Sequence, residues 1–486
     1  MKVLLINTPT IYAAVTTSDW DTTAEDIGAF PPIGLSYLAG YLQEHSNHDV
    51  EILDSLAERL DYDEIEKRII MAKPDLVGVT AFTATFYDTL MTVRLAKKHF
   101  PNCKVIVGGS HVTTHGEDTL HHKEIDFVVR GEGEKILCDI ANTLESGDSV
   151  RQIEGVSYRD ENGEFIHVGA PGYHKDVNEL PLPAFDLLPL HLYKSAIGSG
   201  AIVGVIATSR GCPYECTFCN RPYRSYRSYT TERSIEEMQV LYDKGHREFM
   251  FFDDMFNIKP KRVIDYALAI KERFTDREDM DDVTWSFRGR VEQVTAEMAK
   301  LAYESGCRQI LFGTDGGSDE DFIEVKKKIT EKEVQKAVAI CQKAGIETSI
   351  NLIIGLPTHR STNDIDNLLD FTINTGTDFA QFNILIPYSD APLYPVGVEK
   401  GILKQDFWSE YVKNPAPNAY IPIWDEYLTR DELSALLKKC YRKFYLRPSK
   451  VIKNLCKLRS LDELQIKLKG LKTILGYGGF SRNEAT

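Results

Sequence analysis

The stretch "AIVGVIATSRGCPYECTFCNRP", residues 201–222, decides how this chain is read. It opens on a short apolar run rich in Val and Ile, the composition of a buried strand. Directly after the run come Cys212, Cys216 and Cys219. A strand running into such a loop is the first strand-to-helix connection of a βα series. Further strand candidates follow at 248–253, 283–288, 308–313, 348–354 and 379–386, with helical-period stretches between them. Thr330 with Glu333 makes a capping box and Gly345 a stop for one helix, while Thr295 and Gly306 bracket another. Six βα units are too few to close an eight-fold barrel, but they suit a partial one. In such folds the chemistry lies at the strand C-termini.

The chain holds nine cysteines, and three of them share this one loop. The other six, Cys103, Cys138, Cys307, Cys341, Cys440 and Cys456, are scattered singly and read as small buried hydrophobes. The start "MKVLLINTPT" is broken by Asn7 and Pro9, and no apolar run approaches the ~18–20 residues of a membrane span. The chain therefore reads as cytoplasmic, where thiols stay reduced, so the cluster of three points to metal or redox chemistry. Three thiolates on a tight loop can hold three irons of a cubane [4Fe–4S] cluster. The fourth iron is then open to a small-molecule ligand. A structural zinc site would want a fourth Cys or His, and "SRG…NRP" offers none.

Residues 1–145 alternate short apolar runs with helical stretches, the pattern of a doubly wound, flavodoxin-like or Rossmann-like parallel sheet. Small and polar residues collect where its strands end: Asn7–Pro9, Thr80–Thr85, Gly108–His111 and Gly131–Glu134. Residues 146–200 read as a hairpin followed by a proline-rich linker, and 201–400 as the partial barrel. Beyond 401 comes a helical, basic region with helices expected at 429–446 and 461–475. Net charge is −15, which disfavours nucleic acid as a partner, yet the window from Lys438 to Lys472 alone is +10. That window reads either as a solvated helix on an acidic body or as a face for anionic lipid, a phosphorylated substrate or an acidic donor.

Cys212-x3-Cys216-x2-Cys219, with Phe218 before the last cysteine, resembles the signature of the radical S-adenosylmethionine (SAM) enzymes. The resemblance implies that SAM takes the open iron. It assigns the SAM amino group to the end of the second strand, with Asp253 and Asp254, and the SAM carboxylate to Arg288 or Arg290. It also places Asp315 after the fourth strand, and Ile354 with Gly355 against adenine. Two departures stand out. Relatives commonly read Gly-x-Glu where this chain has Gly313-Thr314-Asp315, and Pro-x-Glu-Thr where it has Pro357-Thr358-His359-Arg360.

The front domain resembles the cobalamin-binding domain fused ahead of many radical SAM modules. That likeness implies a cobalamin site bordered by Thr8, Pro32, Gly34, Thr80, Gly108, Gly109, Ser110, His111, Thr113, Gly131, Glu132 and Gly133. The motif Asp-x-His-x-x-Gly is absent after the first strand, so no histidine of that loop can reach cobalt, and base-off cobalamin is expected. A front sheet holding another cofactor, or serving as a scaffold, is the competing reading. Together the two likenesses imply methylation of an unactivated carbon or phosphorus through methylcobalamin and a 5′-deoxyadenosyl radical. The reacting groups would share a water-poor cavity, and a flavodoxin or ferredoxin would supply electrons. A radical cyclase or oxidoreductase of the anaerobic tetrapyrrole type is the nearest alternative. A non-catalytic cobalamin or iron–sulfur sensor is a remote one. The basic tail and the aromatics Trp408, Tyr411, Tyr420 and Trp424 suit an apolar or lipid-like substrate and peripheral membrane contact. Packing accounts for those aromatics equally well.

Overall fold

The computed structural model describes residues 1–16, 29–194, 201–220, 224–276, 283–448 and 450. They fall into two compact units. The first gathers Met1–Val15, Ala29–Tyr193 and Asp406–Tyr420; the second takes the described residues from Lys194 to Gln405 and from Ile421 onward.

The first unit is a seven-stranded sheet in the order β2-β1-β3-β4-β5-β6-β7. Strands β1 (Lys2–Asn7), β2 (Asp49–Asp54), β3 (Leu76–Thr80), β4 (Lys104–Gly108) and β5 (Phe127–Val129) run parallel, in flavodoxin order. Val3, Leu4, Leu5 and Ile6 are all buried, as expected of a strand covered on both faces. Strand order reverses at β1, which has β2 on one side and β3 on the other. Asn7 pairs with Thr80 and Thr80 with Gly108, so these strand ends lie level at the carboxyl edge. That edge, at the reversal, is where sheets of this type hold ligands.

The segment expected as hairpin and linker belongs to this unit. Strands β6 (Val156–Arg159) and β7 (Phe165–His167) form the hairpin and extend the sheet, β6 pairing antiparallel with β5 and β7 antiparallel with β6. The proline-rich run after it folds into short 3-10 turns whose apolar residues Val177, Leu180, Phe185 and Leu188 are buried. The Tyr193 hydroxyl closes it by donating to the buried Asp54 at 2.8 Å. Helix Phe407–Lys413 also returns to this unit. The Ser409 hydroxyl donates to Asp118 at 2.7 Å, Lys413 pairs with Asp118 at 3.2 Å, and the His122 ring donates to the Val412 carbonyl at 2.8 Å.

The second unit is a six-stranded, all-parallel sheet in the order β15-β14-β13-β12-β11-β8. Its strands are β8 (Val203–Ile206), β11 (Glu248–Phe251), β12 (Thr284–Gly289), β13 (Cys307–Gly313), β14 (Glu347–Ile354) and β15 (Phe379–Ile384), close to the six expected positions. Two short strands, β9 (Ser209–Arg210) and β10 (Arg227–Ser228), pair antiparallel beside the cysteine loop. Helices signposted in sequence form as expected. The Thr330–Glu333 box opens helix Glu331–Ala344, which stops at Gly345 with φ +90°, and Thr295 caps helix Ala296–Glu304. The core is aromatic, with Phe251 stacked on Phe256 at 4.8 Å and Trp285 on Phe287 at 5.7 Å. Helix Arg430–Tyr445 realises the expected 429–446 segment, whereas the expected helix at 461–475 lies outside the described residues.

Candidate active site

The cysteine loop is gripped at both ends. At its start the backbone amides of Thr208 and Ser209 donate to one oxygen of Asp253 at 2.5 and 2.9 Å, and the Thr208 hydroxyl donates to the other. Arg262 adds hydrogen bonds to the Thr208 carbonyl and hydroxyl at 2.9 and 2.8 Å. At the far end Thr217 donates from its amide to the Val325 carbonyl and from its hydroxyl to the Glu324 carbonyl, each at 3.2 Å. Phe218 packs into an apolar group with Val325, Leu356, Leu393 and Trp424. Between the ends, the Arg290 guanidinium lies 4.1 Å over the Tyr214 ring and donates to the Lys327 carbonyl.

Cys216 is buried and Cys212 and Cys219 are partly exposed; none forms a disulfide. Among the described residues no three His, Cys, Asp or Glu side chains converge on a single ion. A cubane takes its thiolates on separate irons, so three cysteines spaced along one held loop suit it. The singly placed cysteines behave differently. Burial pushes the thiols of Cys103 to about 11 and of Cys341 and Cys440 to about 12, as inert core residues require. Cys307 is likewise raised by burial, while Cys456 lies outside the described residues.

The two neighbouring aspartates are placed for different work. Asp253 is buried and spends both oxygens on the loop. Burial lifts its carboxyl to about 6, against the hydrogen bonds from Thr208 and the attraction of Arg262. Asp254 keeps solvent access inside a recess of protein; desolvation raises its carboxyl and Arg288 opposes the rise. Arg288 has a buried Nε without a hydrogen-bond partner, and its guanidinium lies 4.3 Å over the Phe252 ring. Asp254 and Arg288 thus form a polar couple at the ends of β11 and β12, suited to an amino and a carboxylate group. Arg290, 2% exposed and engaged with Glu292, Tyr214 and Lys327, is committed to holding the loop.

Sequence reasoning missed Lys327. Its ammonium is buried and paired with Asp315, which adopts a left-handed backbone with φ +60°. Burial would lower the ammonium, but the attraction of Asp315, with Cys216 beside it, outweighs burial and raises it. A buried ammonium of this kind can form a charge-assisted pair with a carboxylate. The signal was present in "VKKKI", where Lys326 and Lys328 also take left-handed backbones and turn the chain sharply around Lys327. Ile354 is fully buried, so its side chain serves the core; Gly355, at φ +77°, lies where a Cβ would stand 3.2 Å from Leu433.

In the first unit, Thr8, Thr80 and Gly108–Gly109 meet at the carboxyl edge of β1, β3 and β4. Gly109 is needed by the fold, since φ is +100° and a Cβ would come within 2.8 Å of the Ala81 carbonyl. Gly34, which follows Pro32 at the start of helix Ile33–His45, has nothing within 4 Å of a Cβ, and Gly108 has nothing nearer than 3.9 Å. No protein neighbour requires glycine at these two positions. Ser110 is exposed, and Thr113 carries a buried hydroxyl without a partner. These features suit the nucleotide tail of a cobalamin.

Other residues of that set are turned elsewhere. His111 is 2% exposed, with its ring nitrogens against the hydroxyls of Thr83 at 3.0 Å and Thr119 at 3.2 Å, so its imidazole faces the interior. Gly131 packs where a Cβ would meet the Gly172 carbonyl at 2.4 Å, and Glu132 accepts from the His174 amide at 2.6 Å. Both hold the return segment after the hairpin. Gly133 opens helix Glu134–Ser146 against Leu38.

Comparison with known proteins agrees with both halves of this picture. The B12 binding domain family matches residues 22–141, and the Radical SAM superfamily matches 206–371. An uncharacterized methyltransferase of Pyrococcus horikoshii is 34% identical over 461 residues, covering 94% of this chain and 95% of the relative. The anaerobic magnesium-protoporphyrin IX monomethyl ester cyclase of Cereibacter sphaeroides is 26% identical, covering 87% of this chain and 68% of the cyclase. Among solved structures, the radical SAM methyltransferase TsrM of Kitasatospora setae, with cobalamin and a [4Fe–4S] cluster bound, superimposes with a TM-score of 0.73 at 16% identity. That match covers 98% of this chain and 99% of TsrM. The chain belongs to the radical SAM enzymes that carry a B12-binding domain. Its cofactors are a [4Fe–4S] cluster, SAM and cobalamin. Among the described residues no helix is long and apolar enough to cross a membrane.

Proposed function

We propose that this enzyme methylates an unactivated carbon or phosphorus centre of a small, apolar or lipid-like substrate, with electrons from a flavodoxin or ferredoxin. The observation that carries the reading is the division of polar groups around the cysteine loop. Asp253, Arg262 and Arg290 hold the loop, which leaves the Asp254–Arg288 couple and Lys327 as the groups that would receive a zwitterion. When bound, the cluster and SAM supply a hydrogen-abstracting radical, and cobalamin carries the methyl group. Cys212, Cys216 and Cys219 would ligate the cluster. Asp254 would accept from the SAM ammonium, and Arg288 with Lys327 would take its carboxylate as charge-assisted pairs. Gly34, Gly108 and Gly109 would admit the cobalamin tail, with the Thr113 hydroxyl as a donor to it.

Methyl transfer is favoured because the relative that this chain spans almost end to end is named a methyltransferase, whereas the chain spans 68% of the cyclase. The deciding experiment is anaerobic turnover of the reconstituted enzyme with candidate apolar substrates. A methylase yields S-adenosylhomocysteine together with 5′-deoxyadenosine. Deoxyadenosine alone, with a product that gains no methyl group, would convert the reading to a cyclase or oxidoreductase.

A further inference from the structure

His359 stands where relatives commonly carry the glutamate of Pro-x-Glu-Thr, and its surroundings give the exchange a purpose. The ring is 3% exposed. Its Nδ1 lies 3.1 Å from the Gly355 amide and 3.2 Å from the Leu356 amide. Backbone amides can only donate, so Nδ1 must hold a lone pair and the imidazole must be neutral with its proton on Nε2. That nitrogen lies 3.4 Å from Asp321 Oδ1 without forming a hydrogen bond to it. Asp321 is itself buried and accepts from the Gly317 amide at 2.9 Å and the Ser318 amide at 3.1 Å; the Thr358 hydroxyl donates to it as well. Burial alone would raise this carboxyl, but the hydrogen bonds it accepts from Thr358 and Gly317 favour its charged form.

The Thr358 hydroxyl bond to Asp321, with the His359 ring lying against it, therefore ties together two consecutive strand-end turns. One follows β13 and begins at Asp315, the partner of Lys327; the other follows β14 and contains Gly355. A glutamate at 359 could accept from the two amides, but it would set a second carboxylate against Asp321. The neutral ring accepts from the two amides without setting a second charge against Asp321. The exposed pair Arg360–Glu320, at 3.3 Å, spans the same two turns but stands in solvent and contributes little.

We propose that His359, as a neutral imidazole accepting from the Gly355 and Leu356 amides beside Asp321, is a positioning residue for SAM. It fixes the adenine-facing turn and keeps it in register with the Asp315–Lys327 couple. This rests on the reading of the strand ends as the SAM site. The test is the SAM dissociation constant of the anaerobically reconstituted full-length protein, measured by equilibrium dialysis with iron and cobalamin per chain determined alongside. His359→Phe, which leaves two buried amides without an acceptor, should weaken SAM binding about tenfold or more at unchanged iron and cobalamin. His359→Asn, whose Oδ1 falls near the Nδ1 position, should recover most of the affinity, while His359→Glu should not. Wild-type affinity in His359→Phe, or equal losses in Phe and Asn, overturns the proposal. Should His359→Phe also lose iron, His359→Asn is compared with His359→Gln, whose acceptor lies too far out. A difference of about fivefold supports the role and equal affinities overturn it. A wild type that holds its cluster yet binds no SAM would instead defeat the reading of the site itself.

Discussion

The loop after β8 and the loop after β4 both stand at the carboxyl edge of a parallel sheet, but they are built in opposite ways. The cysteine loop is held by side chains that reach in from other elements: Asp253, Arg262, Arg290 and the Val325 carbonyl. The glycine loop is defined by side chains that are missing, at Gly108 and Gly109, with Gly34 leaving space nearby. The first is a charged clamp whose failure should release iron. The second combines a backbone turn that only glycine fits, at Gly109, with open space at Gly34 and Gly108, where substitution should spare the fold. Substitutions can force the two designs apart.

The largest effect belongs to the clamp's cargo. Cys216→Ala should abolish deoxyadenosine formation and sharply reduce reconstituted iron, with the chain still folded by circular dichroism. Deoxyadenosine at the wild-type rate would refute the assignment of this loop. Next comes the cost of burying Asp253. Its carboxyl titrates near 6 in the fold, above its unfolded value, so the folded state binds the extra proton between about pH 4 and 6. Over that window stability should fall as pH rises, by roughly 3 kcal/mol for this group. Urea unfolding of the apoprotein at pH 4.5 and 6.5 would show it as a difference that Asp253→Asn flattens. An equal slope in both proteins would mean the carboxyl ionises normally.

The glycine loop predicts smaller and separable losses. Gly109→Ala forces a side chain into a left-handed backbone against the Ala81 carbonyl and should cost about 1–2 kcal/mol of stability, together with weaker cobalamin retention. Gly34→Ala touches no protein atom, so stability should stay within about 0.5 kcal/mol of wild type. Cobalamin retained after desalting should nevertheless fall several-fold, to about a third or less. Unchanged retention in Gly34→Ala would show that the space there serves something other than the cofactor.

The sequence was most legible where a signal was local. The Cys-x3-Cys-x2-Cys loop, the six strands of the second sheet and the Thr330–Glu333 box could all be read from neighbouring residues. What it hid was set by distant pairings. "FFDDMF" announces two aspartates but not that Thr208 and Ser209 take the first and Arg288 faces the second. "SFRGR" likewise conceals that Arg290 is fastened over Tyr214 while Arg288 keeps an unpartnered nitrogen. Lys327 was lost in a run of lysines whose left-handed turns cannot be seen in composition. His111 looked like a pocket residue by its place after two glycines, yet Thr83 and Thr119 draw its ring inward. The proline-rich run from 180 read as a linker because spaced prolines exclude a helix. They do not exclude packing, and Tyr193 anchors the run's end to Asp54.

The first unit is assembled from pieces of chain more than two hundred residues apart, and that constrains anyone who would borrow it. Asp118 and His122 are completed by Ser409, Lys413 and Val412, and the Asn418 amide donates to the Tyr12 carbonyl at 3.2 Å. A gene cut after the proline-rich run would encode the whole seven-stranded sheet and still deprive helix Ser110–Leu120 of the helix packed on it. Transplanting this B12-binding module therefore calls for a two-part graft that carries residues 406–420 along, and recombination between relatives at a single junction would break it.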